Sequence, residues 1–206
     1  MSIAVLGTNT EVGKTFISAA LAYAFRERGI EAVVFKPVET GEPDSELLKK
    51  MGVGVNSVYR FKTPATPMLA AELEGEKIDI EHLIEECRNV LKSHEYVIVE
   101  GVGGVASPIW KNFDSSDLVA SLGIRSLLVS LNTLGSLTSV ITSAKYLEMK
   151  GVELSAIILN RSEDSFICKT NTEILKEFLR RELFSLEDTT LDDAKRKLLE
   201  LVDVIK

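Results

Sequence analysis

Gly7-Thr8-Asn9-Thr10-Glu11-Val12-Gly13-Lys14-Thr15 decides how this chain is read. An apolar run, Ile3-Ala4-Val5-Leu6, leads into it. A segment with Phe16, Ile17, Ala20, Leu21, Ala24 and Phe25 at helical spacing follows it. Strand, glycine-bounded turn and helix in that order make a phosphate cradle: the turn aims backbone N–H groups inward and the helix N-terminus adds its positive end. Lys14 then reaches the outer phosphates, and Thr15 offers a hydroxyl to a magnesium ion. The general pattern places four residues between its first glycine and Gly-Lys-Thr. Here five separate Gly7 from Gly13, so the loop is a variant. Taken alone, Gly-Lys-Thr is also an ordinary helix start; the strand before it and the helix after it favour the cradle.

Working outward, short apolar runs alternate with amphipathic ones. Strands are expected at Ile3–Leu6, 32–36, 96–100, 126–130 and 155–159. Helices are expected at 13–28, 45–51, 80–91, 116–122, 135–150, 172–181 and 191–204. Continuously apolar strands alternating with helices indicate an α/β fold of the P-loop NTPase type: a mostly parallel sheet with helices on both faces. Residues 1–206 are read as one such domain. Ligands of such sheets sit beyond the carboxyl ends of the strands, which directs attention to Lys36, Glu100, the 131–136 segment and Asn160.

Lys36 ends the second strand, in Phe35-Lys36-Pro37-Val38-Glu39-Thr40-Gly41. By itself it reads as a solvated strand end. Its strand is expected beside that of the P-loop, which would aim the ammonium at the phosphates, with Thr40 a small hydroxyl suited to a substrate. Glu100 ends Tyr96-Val97-Ile98-Val99-Glu100 and precedes Gly101-Val102-Gly103-Gly104. A carboxylate there holds magnesium in many nucleotide hydrolases, and the glycines allow close ligand approach. Asp44 is a second metal candidate, with Glu46 two residues away as its competitor. Ser130–Ser139 runs from a strand into a helix; its amides could take a carboxylate, or Ser136 or Thr138 could simply cap the helix. Asn160 carries a donor and an acceptor, which suits a nucleobase edge or a turn.

The net charge of −7 argues against nucleic acid as a main partner. No stretch reaches the apolar length of a membrane span, and the N-terminus lacks the basic start of a signal peptide. Cys87 and Cys168 have no metal-ligand spacing, and Cys87 falls on the apolar side of its helix. A cytoplasmic setting is expected. His82, His94, Trp110 and Glu187-Asp188 read as surface or structural residues.

The segments together resemble the dethiobiotin synthetase family. Gly7–Thr15 matches its loop Gly-Thr-x-Thr-x-Val-Gly-Lys-Thr, including the extra residue. Lys36-Pro37-Val38 with Thr40-Gly41 is similar to its Lys-Pro-Val-x-Ser/Thr-Gly. Pro67-Met68-Leu69-Ala70-Ala71 is similar to its Pro-His-Leu-Ala-Ala, and Val99–Gly104 to its Val-Glu-Gly-Ala-Gly-Gly. The resemblance implies ATP-dependent carboxylation of 7,8-diaminononanoate with CO₂ and closure of a ureido ring, with Mg²⁺. It implies Lys36 and Lys14 as catalytic residues, and Thr15, Asp44 and Glu100 at the metal. Glu11, Val12, Gly13, Lys14, Thr15, Phe16, Asp44, Glu100, Gly101, Val102, Gly103, Asn160 and Arg161 fall at nucleotide positions. Thr10, Thr40, Ser136 and Thr138 fall at substrate positions. It further implies a homodimer with substrate near the subunit interface. The chain departs from the family at Gly135-Ser136-Leu137-Thr138-Ser139, where Gly-x-x-Asn-His is common, and no Pro-x-Leu loop stands near Leu183–Leu186 to cover adenine.

Two other readings compete. Partner-regulated switch ATPases carry a second lysine early in the loop, and Ile3 to Val12 contains none. Amide ligases of the cobyric-acid-synthase type usually add a glutaminase domain, for which 206 residues leave no room.

Overall fold

The computed structural model describes residues 1–205. In chain order the elements are β1 (Ser2–Gly7), α1 (Lys14–Glu27), β2 (Ala32–Phe35), β3 (Val38–Thr40), α2 (Asp44–Lys50), β4 (Tyr59–Phe61), α3 (Pro67–Leu73), α4 (Ile80–Ser93) and β5 (Tyr96–Glu100). They continue with β6 (Pro108–Trp110), β7 (Phe113–Asp114), α5 (Ser115–Leu122), β8 (Arg125–Leu131), α6 (Ser136–Met149), β9 (Leu154–Ser162), α7 (Phe166–Leu179), β10 (Glu182–Glu187) and α8 (Leu191–Ile205).

Six strands form one sheet in the order β10-β9-β8-β1-β5-β2, every pairing parallel. The period of two along each strand divides the core. Ile3, Val5, Ile98 and Val129 pack with Phe25 of α1 and Leu198 and Leu201 of α8 on one face. Ala4, Leu6 and Leu128 meet Val140 and Leu147 of α6 on the other, and Val97 and Val99 meet Leu83 and Cys87 of α4. Burial pushes the Cys87 thiol up to about 12, so it behaves as a small apolar side chain. Among the described residues no helix is long and apolar enough to cross a membrane.

Three sequence expectations are corrected. The strand carrying Lys36 does not neighbour the P-loop strand: β2 pairs with β5, and β5 separates it from β1. Every residue of β5 is buried, which requires strands on both sides, whereas β2 tolerates a half-exposed Val33 at the sheet edge. Asn160 and Arg161 do not follow the fifth strand but lie inside β9. The helix expected at 172–181 runs from Phe166, capped by Ser165, whose side chain accepts from the Cys168 N–H at 3.2 Å. An exposed Phe166 at its start breaks the amphipathic pattern. The sheet also gains a sixth strand, β10, whose half-exposed edge residues lack a continuous apolar run.

Candidate active site

A cavity of about 750 Å³ opens at the carboxyl ends of β1, β2 and β5, and Arg161 of β9 closes one side. The first loop forms its floor. Its turn is built from two left-handed residues, Glu11 (φ 61°) and Gly13 (φ 93°). A Cβ at Gly13 would lie 2.2 Å from the Asn160 amide nitrogen, so no other residue fits. That nitrogen donates to the Val12 carbonyl at 2.9 Å and braces the loop from below. Lys14 folds back, its Nζ donating to the Asn9 carbonyl at 3.1 Å. Burial lowers the Lys14 pKa and nearby Lys36 adds to that, against the pull of Glu100.

Lys36, Asp44 and Glu100 meet above this floor. Lys36 Nζ is ion-paired with Asp44 Oδ2 and lies 3.4 Å from Glu100 Oε1. Burial works against the lysine charge, but the two carboxylates outweigh it and hold its pKa above the ordinary value. Thr15 Oγ1 donates to the same Glu100 Oε1 at 2.8 Å. Glu100 is 1% exposed, and its Oε2 is buried without a hydrogen-bond partner. A buried carboxylate oxygen left without a donor costs about 1–3 kcal/mol or more, unless a cation completes it. Two carboxylates and one hydroxyl suit magnesium, which takes its remaining ligands from water and phosphate. Among the described residues no three His, Cys, Asp or Glu side chains cluster as a self-sufficient metal cage.

The structure also separates the two acidic candidates. Asp44 lines the cavity. Glu46 turns to the surface and pairs with Arg60 at 2.8 Å. Glu39 was missed from the sequence. It is 1% exposed and accepts from Ser45 Oγ at 2.6 Å, Ser45 N at 3.1 Å and Ser57 Oγ at 2.9 Å, so it fastens the start of α2 where Asp44 sits. A carboxylate set inside Lys36-Pro37-Val38-Glu39-Thr40 was the available signal. Pro64, Ala65, Thr66 and Ser107 also line the cavity without having been singled out.

Residues 1–187 match the AAA domain family. The chain is 33% identical over 204 residues to the ATP-dependent dethiobiotin synthetase of Anaeromyxobacter dehalogenans, covering 93% of this chain and 92% of that protein. It is 34% identical to that of Akkermansia muciniphila, covering 84% and 85%, and 31% identical to that of Bacillus licheniformis, covering 97% and 92%. The chain belongs to the ATP-dependent dethiobiotin synthetase family. Among solved structures it is similar to the cell-division ATPase MinD of Pyrococcus furiosus (TM-score 0.63, 17% identity, 100% and 99% covered) and to HypB of Helicobacter pylori (TM-score 0.61, 18%, 100% and 89%). At such identity these likenesses establish the P-loop fold alone.

Within the dethiobiotin synthetase family frame, Thr10, Glu11, Gly13, Lys14, Thr15, Lys36, Thr40, Asp44, Glu100, Val102, Gly103 and Arg161 converge on one cavity. Val12, Phe16, Gly101 and Asn160 stand behind that wall rather than in it. Ser136 and Thr138 lie apart from it. Gly135, not either of them, occupies the cap position of α6. Ser136 is buried, its hydroxyl donating to Thr133 O at 2.8 Å, while Thr138 is exposed.

Proposed function

We propose that this protein carries out the ATP-dependent carboxylation and ring closure of 7,8-diaminononanoate to dethiobiotin, ADP and phosphate. The observation that carries it is the Lys36–Asp44–Glu100 cluster set over a Gly-Thr-x-Thr-x-Val-Gly-Lys-Thr loop, in a chain of this family. One substrate amine adds to CO₂ and loses a proton, giving a carbamate. A carbamate oxygen attacks the γ-phosphorus of ATP, and ADP leaves. The second amine attacks the carbamate carbon, phosphate leaves, and the ureido ring closes.

Carbamate and triphosphate are both anionic, so their approach is opposed until charge is neutralised. Lys36 is held protonated by its two carboxylates and is ready to bridge the anions. Lys14, once drawn from the Asn9 carbonyl, serves the outer phosphates. Thr15, Asp44 and Glu100 would hold Mg²⁺, whose charge would shield the β- and γ-phosphates. Thr40 and Thr10 offer hydroxyls to the diamine or its carbamate. A homodimer accounts for Thr138 lying exposed and away from this cavity, since a partner copy can present it there, whereas Ser136 is buried within its own chain. The test is mass detection of dethiobiotin with diaminononanoate, bicarbonate, Mg²⁺ and ATP. ATP hydrolysis without dethiobiotin at saturating diamine refutes the assignment.

A further inference from the structure

Behind the cavity wall formed by Arg161 lies a buried knot of neutral polar groups. The Asn132 backbone N–H donates to the Asn160 carbonyl at 2.9 Å, and its carboxamide donates to Ser162 Oγ at 3.0 Å. One residue thus grips β9 on both sides of Arg161. The carboxamide is itself fixed. It also donates to the Cys168 carbonyl at 3.2 Å, and its Oδ1 accepts from Asn171 Nδ2 at 3.1 Å. Cys168 Sγ reaches the Asn132 carbonyl at 3.0 Å, and Ser162 Oγ lies 2.6 Å from Ser185 Oγ of β10. Asn132 is 1% exposed, Asn171 5% and Ser162 7%.

Arg161 is the residue in this stretch with a left-handed backbone. Its φ is 52°, a left-handed conformation in which a side chain crowds the backbone. The pairing with β10 explains the geometry. Asn160 and Arg161 stand between Leu159 and Ser162, whereas only Leu186 stands between Ser185 and Glu187. The extra residue makes a bulge, and bulges beside active sites re-aim a side chain. Arg161 is aimed into the cavity. Lys36 there is matched by carboxylates, and Lys14 rests on a carbonyl. Arg161 has no carboxylate partner among the described residues. A strained conformation persists only where its surroundings over-determine it, and such strain gathers at ligand clamps.

We infer that Asn132, locked by Asn171, is a positioning residue that holds the β9 bulge so that Arg161 contacts the bound nucleotide. The inference rests on ATP being a ligand of this cavity, as proposed above. The test is a double-mutant cycle on ATP affinity, measured by calorimetric titration with Mg²⁺, alongside thermal melting. Arg161→Gly relieves the backbone strain, so it melts higher than the native protein yet binds ATP about tenfold more weakly, the loss of one charge-assisted contact. Asn132→Ala weakens ATP binding about tenfold in the native background but by less than twofold when residue 161 is already glycine.

Independent losses that multiply in the double variant overturn the inference. So does an Arg161→Gly variant with unchanged ATP affinity. If Asn132→Ala gives no folded protein, Ser162→Ala removes the same side-chain arm of the grip from its acceptor end and is judged by the same criteria. A native protein that binds ATP but forms no dethiobiotin refutes the activity and leaves this cycle readable.

Discussion

The two sides of the cavity are built on opposite principles. On one side Lys36, Asp44 and Glu100 put three charges together and leave one buried carboxylate oxygen without a partner. On the other, Asn132, Asn160, Asn171 and Ser162 make a neutral network in which every buried side-chain polar atom is paired. An unfinished charged cluster has something left to bind, and a finished amide cluster has only a shape to keep. Chemistry belongs to the first side and placement to the second.

That contrast breaks most severely if Lys36 is removed. Lys36→Ala is expected to lower the rate of dethiobiotin formation by about 10²–10³-fold, as loss of a preorganised cation does, while ATP still binds. Single-turnover mass analysis checks it, and near-native turnover would show that the charged side is not where the reaction occurs. Glu100→Gln comes next. It keeps the shape, removes the anion, and should raise the Mg²⁺ concentration for half-maximal activity by about 10–100-fold, read from a magnesium titration at fixed ATP. An unchanged titration would remove Glu100 from the metal.

Asn160→Ala sharpens the comparison from the neutral side. It leaves the Val12 carbonyl without its donor and should cost about 1–3 kcal/mol in chemical denaturation, with ATP binding weakened more than the chemical step. A loss confined to the chemical step would place Asn160 among the reacting groups. The smallest effect is expected at Tyr146, whose hydroxyl donates to Asp114 Oδ2 at 2.5 Å, neither residue lining the cavity. Tyr146→Phe should cost about 1 kcal/mol of stability and leave both kinetic constants within twofold.

The charged side was legible in the sequence because its residues sit in contiguous strings. Gly13-Lys14-Thr15, Lys36-Pro37-Val38 and Val99-Glu100-Gly101 each carry chemistry within a few positions. The alternation of apolar runs also gave five strands and the parallel sheet. Strand order was not legible: no residue near Lys36 announces that β5 will insert between its strand and β1. The neutral side was nearly invisible, since Asn171 meets Asn132 from 39 positions away and neither stands in a motif. Asn160 read as a strand-end residue because polar side chains inside a buried strand are expected only when distant partners satisfy them. Glu39 was hidden in the same way, its partners being two serines on other segments.

The additional residue in the first loop has a consequence for anyone who would move it elsewhere. A Cβ at Gly104 would meet the Thr8 carbonyl oxygen at 3.1 Å, so the backbone after β5 lies directly against the lengthened half of the loop. The two turns form a mould and its casting. A chimera that imports Gly7–Thr15 into another P-loop protein needs the Gly103-Gly104 turn imported with it, and a chimera that shortens the loop to the usual spacing opens a gap there. The portable unit of this enzyme is the pair of turns.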